Sequence, residues 1–348
     1  MAIAAVTTLP AMVFSSMVPD IEFTTTAEAV QVTVSGNDNE VILETTLYPV
    51  SGNVVLSDLP GLISDYAKQS LVLSLTVTAE EIVTSGNSTT ASVSSSVVYA
   101  AADIDEAAAS FCAERFLSVL QGTKVTAVGR VEYLNYVGTD SASITAHYSD
   151  GTTATFAAVV TQGTNNYKQI DVSPYRFVSS GKTLTYYVVT AGSRTQRYNI
   201  DFKAPDCAPI LLFDNSFGVQ EILYCTGKHE VAPEYTRSSA VIRNRYRNYK
   251  IEENRVFKAD TGVLNTAMAD WCDELFRSEE IYICNIINGT FMVGKEIAIT
   301  ESKSENDNLD NTMPRFTFSY RYAQRNHNVM QTQRAGRIFD NTFDNTFN

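Results

Sequence analysis

The feature that most constrains the fold is a series of short apolar runs that alternate with polar residues and end at Gly- or Asn-containing turns. Residues 30–34 read Val-Gln-Val-Thr-Val, a period of two that is typical of a strand with one buried face. A Gly-Asn turn at residues 35–39 follows, and residues 41–48 return as the partner strand. Several such strands over residues 20–102 predict a β-sandwich-like domain.

Residues 1–19 precede this pattern and are predicted to form an extended N-terminal arm. Within the first domain, Leu59, Leu62, Ile63 and Tyr66 have helical spacing, and Asp58 is a candidate N-cap. This spacing predicts one helix between the strands.

Residues 103–122 are predicted to form a connecting helix. Ala108, Phe111, Cys112 and Phe116 step by three or four positions, and Gly122 stands where a helix commonly ends in glycine. The pattern then returns to β over residues 123–203, where Asp-Gly at 150–151 is a strong hairpin signal. These residues predict a second β-sandwich-like domain.

Two prolines at residues 205 and 209 mark a linker into a third domain, residues 204–328. Its clearest element is a helix from Asn265 to Arg277, with Met268, Trp271 and Leu275 in one apolar stripe. Strand-like segments flank this helix, so we predict an α+β domain. The predicted fold class is therefore mainly β: two β-sandwich-like domains, an α+β domain and an extended C-terminal tail.

The C-terminal tail, residues 329–348, contains a four-residue repeat of Phe-Asp-Asn-Thr type. The repeat places Phe339, Phe343 and Phe347 on one side of a strand or, approximately, of a helix. Such an apolar stripe is rare in a tail unless another surface covers it. These three residues are candidate assembly contacts.

A basic run in the third domain gives the other candidate assembly contacts. If residues 241–251 form one strand, Arg243, Arg245 and Arg247 share a face, close to Tyr246 and Tyr249. Basic and aromatic residues together can hold single-stranded nucleic acid. The run is short and lies in an acidic protein, so we favour a face that meets acids of a neighbouring subunit.

The composition excludes several classes of protein. The 348 residues carry a net charge of −13, and the first 67 contain no Lys or Arg. Nucleic acid is therefore not an expected partner, since phosphate binding needs clustered cations. No apolar stretch is long enough to predict a membrane span, and the N-terminus lacks the positive charge of a signal peptide. Synthesis in the cytosol and five reduced cysteines are expected.

No constellation of residues predicts a reaction. The three histidines fall in separate segments, and no nucleophile, phosphate-binding or zinc motif occurs. Residues 305–311 are acidic and could supply calcium ligands, but they lack the glycine and final Glu of an EF-hand loop. We therefore predict no catalytic residue, no cofactor and no metal.

Parts of the third domain resemble tail and baseplate-type virion proteins of phages and prophages of Bacteroides-like gut bacteria. The matching stretches are residues 213–221, 225–228, 269–278, 321–323 and, in the tail, 337–343. The resemblance as a whole extends over about a third of the chain, and none of its matching stretches is a catalytic signature. The resemblance implies a repeated subunit of a virion tail, with β-rich domains added for packing or host contact.

We therefore expect a virion structural protein that is made in the bacterial host cytoplasm and assembles with copies of itself and with other tail proteins. The alternative is a carbohydrate-binding or adhesin module on a virion or cell surface. For that reading, Tyr186 and Tyr187 point to opposite faces of their strand, so one of them is expected on the exposed face, although packing within the sheet is the favoured interpretation for both. A glycan-cleaving enzyme is a third hypothesis, for which the sequence offers no facing pair of acids.

Overall fold

A computed structural model of the chain describes residues 2–83, 87–164, 166–203, 207–287, 290–303 and 313–323. The protein is mainly β, with two β-sandwich-like units followed by an α+β unit, which confirms the predicted fold class. The predicted tail, with Phe339, Phe343 and Phe347, lies outside the described residues, as does the acidic stretch 305–311.

The first unit is a sandwich of a three-stranded and a five-stranded sheet. Its strands are β1 Ala4–Ala5, β2 Met12–Phe14, β3 Ile21–Thr24, β4 Ala29–Ser35, β5 Val41–Leu47, β6 Asn53–Leu56, β7 Val72–Ile82 and β8 Thr90–Val98. The strand orders are β1-β3-β6 and β2-β8-β7-β4-β5. Val30, Val32 and Val34 of β4 are buried against Ile21 and Phe23 of the opposite sheet. The alternation in the sequence thus marks the core-forming face.

Residues 1–19, predicted as an arm, supply two strands to this unit. β1 pairs antiparallel with β3, and β2 pairs parallel with β8. At the end of β2, Phe14 is buried, with its ring 5.7 Å from the ring of Phe111. The segment is extended, but it is held in the sheets because its apolar side chains complete their core.

Helix α1, Leu59–Ser70, confirms the helix predicted between the strands. Leu59, Ile63 and Ala67 are buried, and they pack into the core of the first unit. Asp58 directly precedes the helix, but its backbone is left-handed and its side chain makes no capping hydrogen bond.

The second unit is again built from two sheets. Its strands are β9 Thr123–Thr126, β10 Tyr133–Val137, β11 Ala142–Tyr148, β12 Thr153–Ala157, β13 Val159–Gly163, β14 Tyr167–Asp171, β15 Leu184–Ala191 and β16 Arg194–Ile200. The orders are β12-β11-β15-β16-β9 and β10-β14-β13. Tyr136 and Ile170 of the smaller sheet pack with Tyr187 and Tyr198 of the larger one in a shared core.

Tyr187 gives the first testable prediction. Its hydroxyl is buried and has no hydrogen-bond partner among the described residues, and its ring stacks on that of Tyr198 at 4.8 Å. A buried unpaired hydroxyl costs about 1–3 kcal/mol, so Tyr187→Phe is expected to leave the free energy of unfolding unchanged or to raise it. Urea denaturation measures this. A marked loss of stability would show that the hydroxyl makes a stabilising contact.

The connecting helix predicted over residues 103–122 is wrong in extent. Helix α2 spans only Ala108–Glu114, and Arg115 is already extended, with φ −129° and ψ 152°. Phe116 then enters the core of the second unit, while Leu117 enters the cluster between the units. Apolar residues thus continue past the end of the helix because Phe116 and Leu117 are buried in two different cores.

The third unit is a seven-stranded sheet with one helix against it. Its elements are β17 Ile210–Asp214, β18 Gln220–Tyr224, β19 Glu230–Ile242, β20 Arg245–Asp260, α3 Thr266–Arg277, β21 Ile281–Ile287, β22 Thr290–Lys303 and β23 Thr317–Tyr322. The strand order is β18-β17-β21-β22-β23-β20-β19. Asn265 caps α3 by accepting a hydrogen bond from the Met268 amide at 2.8 Å, and Trp271 and Leu275 are buried against the sheet. The predicted helix and its apolar stripe are confirmed.

A buried ion pair within the second unit contacts the third unit. Lys124 Nζ donates to Glu132 Oε2 at 2.8 Å and to the Ile222 carbonyl at 3.1 Å, and it lies 4.6 Å from the centre of the Trp271 ring. Thr126 donates a second hydrogen bond to the Glu132 carboxylate at 2.9 Å. Both members of the pair are buried, so the junction between these units depends on each of them keeping its partner.

Candidate interaction surface

The most unusual element of the structure is the long hairpin formed by β19 and β20. Their register runs from the Glu230–Lys258 pair to the Ile242–Arg245 pair. The neighbouring strand β23 pairs only with residues 257–260 at the base. Residues 232–256 therefore extend beyond the paired part of β23 as a two-stranded ribbon, over about 40 Å at the usual rise of a strand.

The end of this hairpin is a tight turn at Arg243 and Asn244. Both residues have positive φ, 50° and 58°, as a two-residue turn between antiparallel strands requires. The strand predicted over residues 241–251 is therefore wrong at this point. Arg243 lies in the turn, whereas Arg245 and Arg247 do share one face of β20, as the alternation predicted.

The register divides the exposed hairpin into two faces. Arg245, Arg247 and Lys250 lie on one face, opposite Ile242, Ala240 and Ser238 respectively. The other face is more apolar. Its members are Tyr235, Val241, Tyr246 and Ile251, together with Arg237. Tyr246 is 83% exposed and Val241 56% exposed, which is unusual for side chains of this size in a regular strand.

A ring stack holds the base of the hairpin. His229 lies just before β19, and its ring is parallel to those of Phe257 and Tyr320, at 6.0 and 5.9 Å. Its Nε2 shares a 2.8 Å hydrogen bond with the Tyr320 hydroxyl. Burial lowers the pKa of His229 below its ordinary value of 6.5. The folded protein therefore favours the neutral form of the His229 imidazole.

The stack predicts a dependence of stability on pH. As the pH falls below 6.5, the unfolded chain protonates His229, while the folded chain resists protonation down to its lower pKa. The free energy of unfolding therefore decreases as the pH falls from the pKa of His229 in the unfolded chain to its lower pKa in the folded chain. In His229→Phe, the free energy of unfolding should fall less steeply from pH 7.5 to 5. Urea denaturation across that range tests this, and equal slopes would contradict it.

A second feature is a polar cleft of about 690 Å³ between the first and third units. Its walls include α1, the loop at Tyr99 and the end of α3. Burial and the nearby Glu280 carboxyl raise the pKa of Asp214 in this cleft. Glu280 lies 3.8 Å from Lys68, and Glu274 accepts a 2.6 Å hydrogen bond from the Ser216 amide. The Glu280–Lys68 ion pair therefore crosses from the third unit to the first, whereas the Glu274 hydrogen bond lies within the third unit.

The tyrosine pair of the carbohydrate hypothesis is placed by strand β15. Tyr187 is buried, and Tyr186 lies on the outer face, as the alternation predicted. The Tyr186 ring is stacked on His147 at 4.2 Å and lies 3.9 Å from the Arg197 guanidinium. These two groups come from the strands on either side of β15. Both faces of the ring are therefore covered, which leaves none free to stack on a sugar.

The described residues offer little for metal or thiol chemistry. Among them, no group of three or more His, Cys, Asp or Glu side chains could hold a metal ion. None of the five cysteines forms a disulfide in the described part of the chain. Within the same residues, no helix is long and apolar enough to cross a membrane.

Fold and surface together define the class: a β-sandwich protein with a projecting, cationic and aromatic hairpin. No protein-family profile and no curated protein matches its sequence. Some solved structures are similar in part. A tetra-tandem repeat from the extending region of a large adhesion protein is 14% identical, covers 74% of this chain and 69% of its own, and has a TM-score of 0.28.

Two further structures are similar at the same level. A Ca²⁺-stabilised, ice-binding adhesin of an Antarctic bacterium is 10% identical over 84% of this chain and 72% of its own, with a TM-score of 0.19. The protein SGBP-B of the Bacteroides ovatus mixed-linkage glucan utilisation locus is 11% identical over 73% and 70%, with a TM-score of 0.17. Scores this low carry no conclusion about what this chain binds.

Proposed function

We propose that this chain is a structural subunit that works by assembling with copies of itself, and that it catalyses no reaction. The observation that carries the proposal is the hairpin of β19 and β20. An isolated two-stranded ribbon is at best marginally stable in water. A ribbon that extends far beyond its sheet therefore suits a role in which another surface covers it.

The side chains of the hairpin support this reading. Tyr246 and Tyr249 are 83% and 67% exposed, and Val241, Ile242 and Ile251 add further exposed apolar surface. Burying one such side chain at an interface contributes roughly 1.5–3 kcal/mol. Tyr and Arg are also the residue types that most often dominate binding energy at interfaces. The hairpin combines both types on one projecting element.

Within this class, we propose a component of a phage virion tail or baseplate. The support is the resemblance of residues 213–221 and 269–278 to such proteins. In the structure, residues 213–221 form the turn and adjoining strand ends of the β17–β18 hairpin, and residues 269–278 include most of α3. The partners would be copies of this chain and other tail proteins, in the virion. Phe339, Phe343 and Phe347 remain predicted contacts of the same assembly.

Light scattering of the purified full chain at several concentrations, with and without residues 329–348, tests the proposal. The full chain should show a mass above that of a 38.3 kDa monomer, rising with concentration. Removal of the tail should reduce the mass if the three Phe residues contribute contacts. A strict monomer at every concentration, which also fails to join purified tail particles, would contradict the proposal.

A carbohydrate-binding or adhesin module is the second candidate, and the cleft between the first and third units favours it. Small-molecule sites commonly have volumes of about 300–1,000 Å³ and lie between domains, and this cleft has both properties. Asp65 and Glu279 line it without a hydrogen bond or ion pair to other described residues. Glycan-array binding would favour this candidate if Asp65→Ala abolishes it and Asp38→Ala does not. Asp38 is the control because it lies outside the cleft, in the turn between β4 and β5.

A further inference from the structure

The outer half of the long hairpin carries an unbalanced positive charge. Residues 237–250 contain five cations and no acid. Lys250 pairs with Glu252 at 2.5 Å, and the Arg237 guanidinium lies 5.1 Å from the Tyr235 ring. Arg243, Arg245 and Arg247 form no ion pair with any other described residue. Among the described residues, the three guanidinium groups near the end of the hairpin therefore have no counter-charge.

The first unit carries the opposite imbalance. Residues 2–83 contain ten Asp and Glu and a single cation, Lys68, which pairs with Glu280 of the third unit. None of the ten carboxylates forms an ion pair within the described part of the chain. Among the described residues, the acidic first unit and the basic hairpin therefore lack counter-charges and form no ion pair with each other.

Four of the ten acids lie on the outer face of the five-stranded sheet or in the turn at its edge. Glu44 of β5 and Glu80 of β7 lie on the outer face, because the register pairs them with Thr33 and Gln31 of β4, whose neighbours in sequence are buried. Asp38 and the adjacent Glu40 are exposed in the turn between β4 and β5. β5 is the edge strand.

This acidic face matches the hairpin in dimensions. Glu44 and Glu80 are two strands and two residues apart, which separates their backbones by about 12 Å. Arg245 and Lys250 are five residues apart on one strand, or about 15 Å at most. Arg and Glu side chains are long and flexible enough to compensate for the difference between these two backbone separations. Between the two acids, the outer face carries Gln31 and Thr33 of β4, and the Gln31 side chain donates a hydrogen bond to Glu44.

We propose that the cationic face of the hairpin, Arg245, Arg247 and Lys250, docks on the acidic face of the first unit, Glu44 and Glu80, in a second copy of the chain. The inference rests on the proposed function, self-assembly through the hairpin, and identifies the surface of the second copy that the hairpin contacts. The contact is head-to-tail, because the two surfaces differ. It therefore generates a ring if the rotation closes and a filament if it does not.

Other anionic partners would use the same cations. Single-stranded nucleic acid could combine the arginines with Tyr246 and Tyr249, and an anionic membrane surface could take the hairpin end. The second copy is favoured because the acidic face is itself without counter-charges, which neither of these partners would explain. Both become outcomes of the experiment.

A pair of charge reversals tests the proposal in the full chain. One variant is Arg245→Glu with Arg247→Glu, and the other is Glu44→Lys with Glu80→Lys. All four side chains are exposed, so both variants should fold, which circular dichroism checks. Sedimentation velocity at 50 and 500 mM salt then measures self-association of each variant alone and of an equimolar mixture.

Each variant alone should self-associate at least about tenfold more weakly than the wild type, since each brings like charges together. The mixture should regain association, because every hairpin then finds a sheet face of opposite charge. Wild-type association should weaken at high salt. As a matched control, Asp103→Lys with Asp105→Lys adds the same charge in the exposed segment before α2, outside the acidic face, and should leave association nearly unchanged.

The outcomes separate this inference from the proposed function. If the arginine variant dissociates while the glutamate variant assembles normally, the hairpin is an assembly contact and the acidic face is not its acceptor. If the wild type is a monomer throughout, both proposals fail. Wild-type binding to oligo(dT) or to phosphatidylserine vesicles that is lost in the arginine variant, without self-association, would replace the second copy with that partner.

Discussion

Replacing Lys124 with alanine is expected to lower the free energy of unfolding by about 3–5 kcal/mol, because it leaves the buried Glu132 carboxylate without its cation. Glu132 is 1% exposed, and the nearest charge that compensates it is the Lys124 ammonium at 2.8 Å. Trp271, the only tryptophan, lies 4.6 Å from that ammonium. Urea denaturation followed by tryptophan fluorescence therefore reports directly on the junction.

The double variant Lys124→Met with Glu132→Leu is the control for this prediction. It removes both charges and fills the space with apolar groups, so it should be more stable than Lys124→Ala. If Lys124→Ala unfolds like the wild type, water or local movement compensates the charge of the Glu132 carboxylate. The junction would then depend on its apolar contacts alone.

The second large effect is expected from shortening the hairpin. Replacing residues 237–251 with Asn-Gly joins Thr236 to Glu252, which already face each other, through a turn that suits a two-residue hairpin. The removed residues are nearly all exposed, so stability should change little. Self-association should weaken by at least about a hundredfold, since the loss of several buried Tyr and Arg contacts amounts to more than 2.7 kcal/mol.

Light scattering and thermal denaturation, compared with the wild type, measure the two parts of this prediction. Tyr235→Ser with Val231→Ser serves as a matched control, since it changes exposed apolar residues nearer the base and should have a smaller effect. Unchanged assembly of the shortened chain would mean that the contacts lie elsewhere, for example in the tail with Phe339, Phe343 and Phe347.

Local sequence patterns predicted much of the fold. The alternation around Val32 and the stripe of Trp271 and Leu275 record which face is buried, and this information is contained in a few neighbouring residues. The same holds for the pair Tyr186 and Tyr187. Each of these residues lies on the face that its position in the pattern predicted.

Long-range contacts were not visible in the sequence. β2 pairs with β8 across more than 80 residues, so the local pattern around Val13 showed only an extended segment. The environment of the buried pair Lys124 and Glu132 includes the later elements β18 and α3. No local sequence spacing predicts these contacts.

The hairpin was missed for a local reason. Its turn consists of Arg243 and Asn244, and Arg is rare at positive φ, so the usual Asn-Gly signal was absent. The basic residues were recognised as a candidate contact, but their projection beyond the sheet is a property of strand pairing. Only the register shows that Arg245 and Arg247 share a face while Arg243 forms the turn.

The most direct test of a self-assembling subunit with a hairpin contact is amide hydrogen exchange of residues 237–251 in dilute and in concentrated protein. We predict fast exchange in the dilute monomer, where the ribbon lacks a third strand, and strong protection once the chain assembles. If these amides exchange equally fast in monomer and assembly, the hairpin is not the contact, and the central claim about this protein is contradicted.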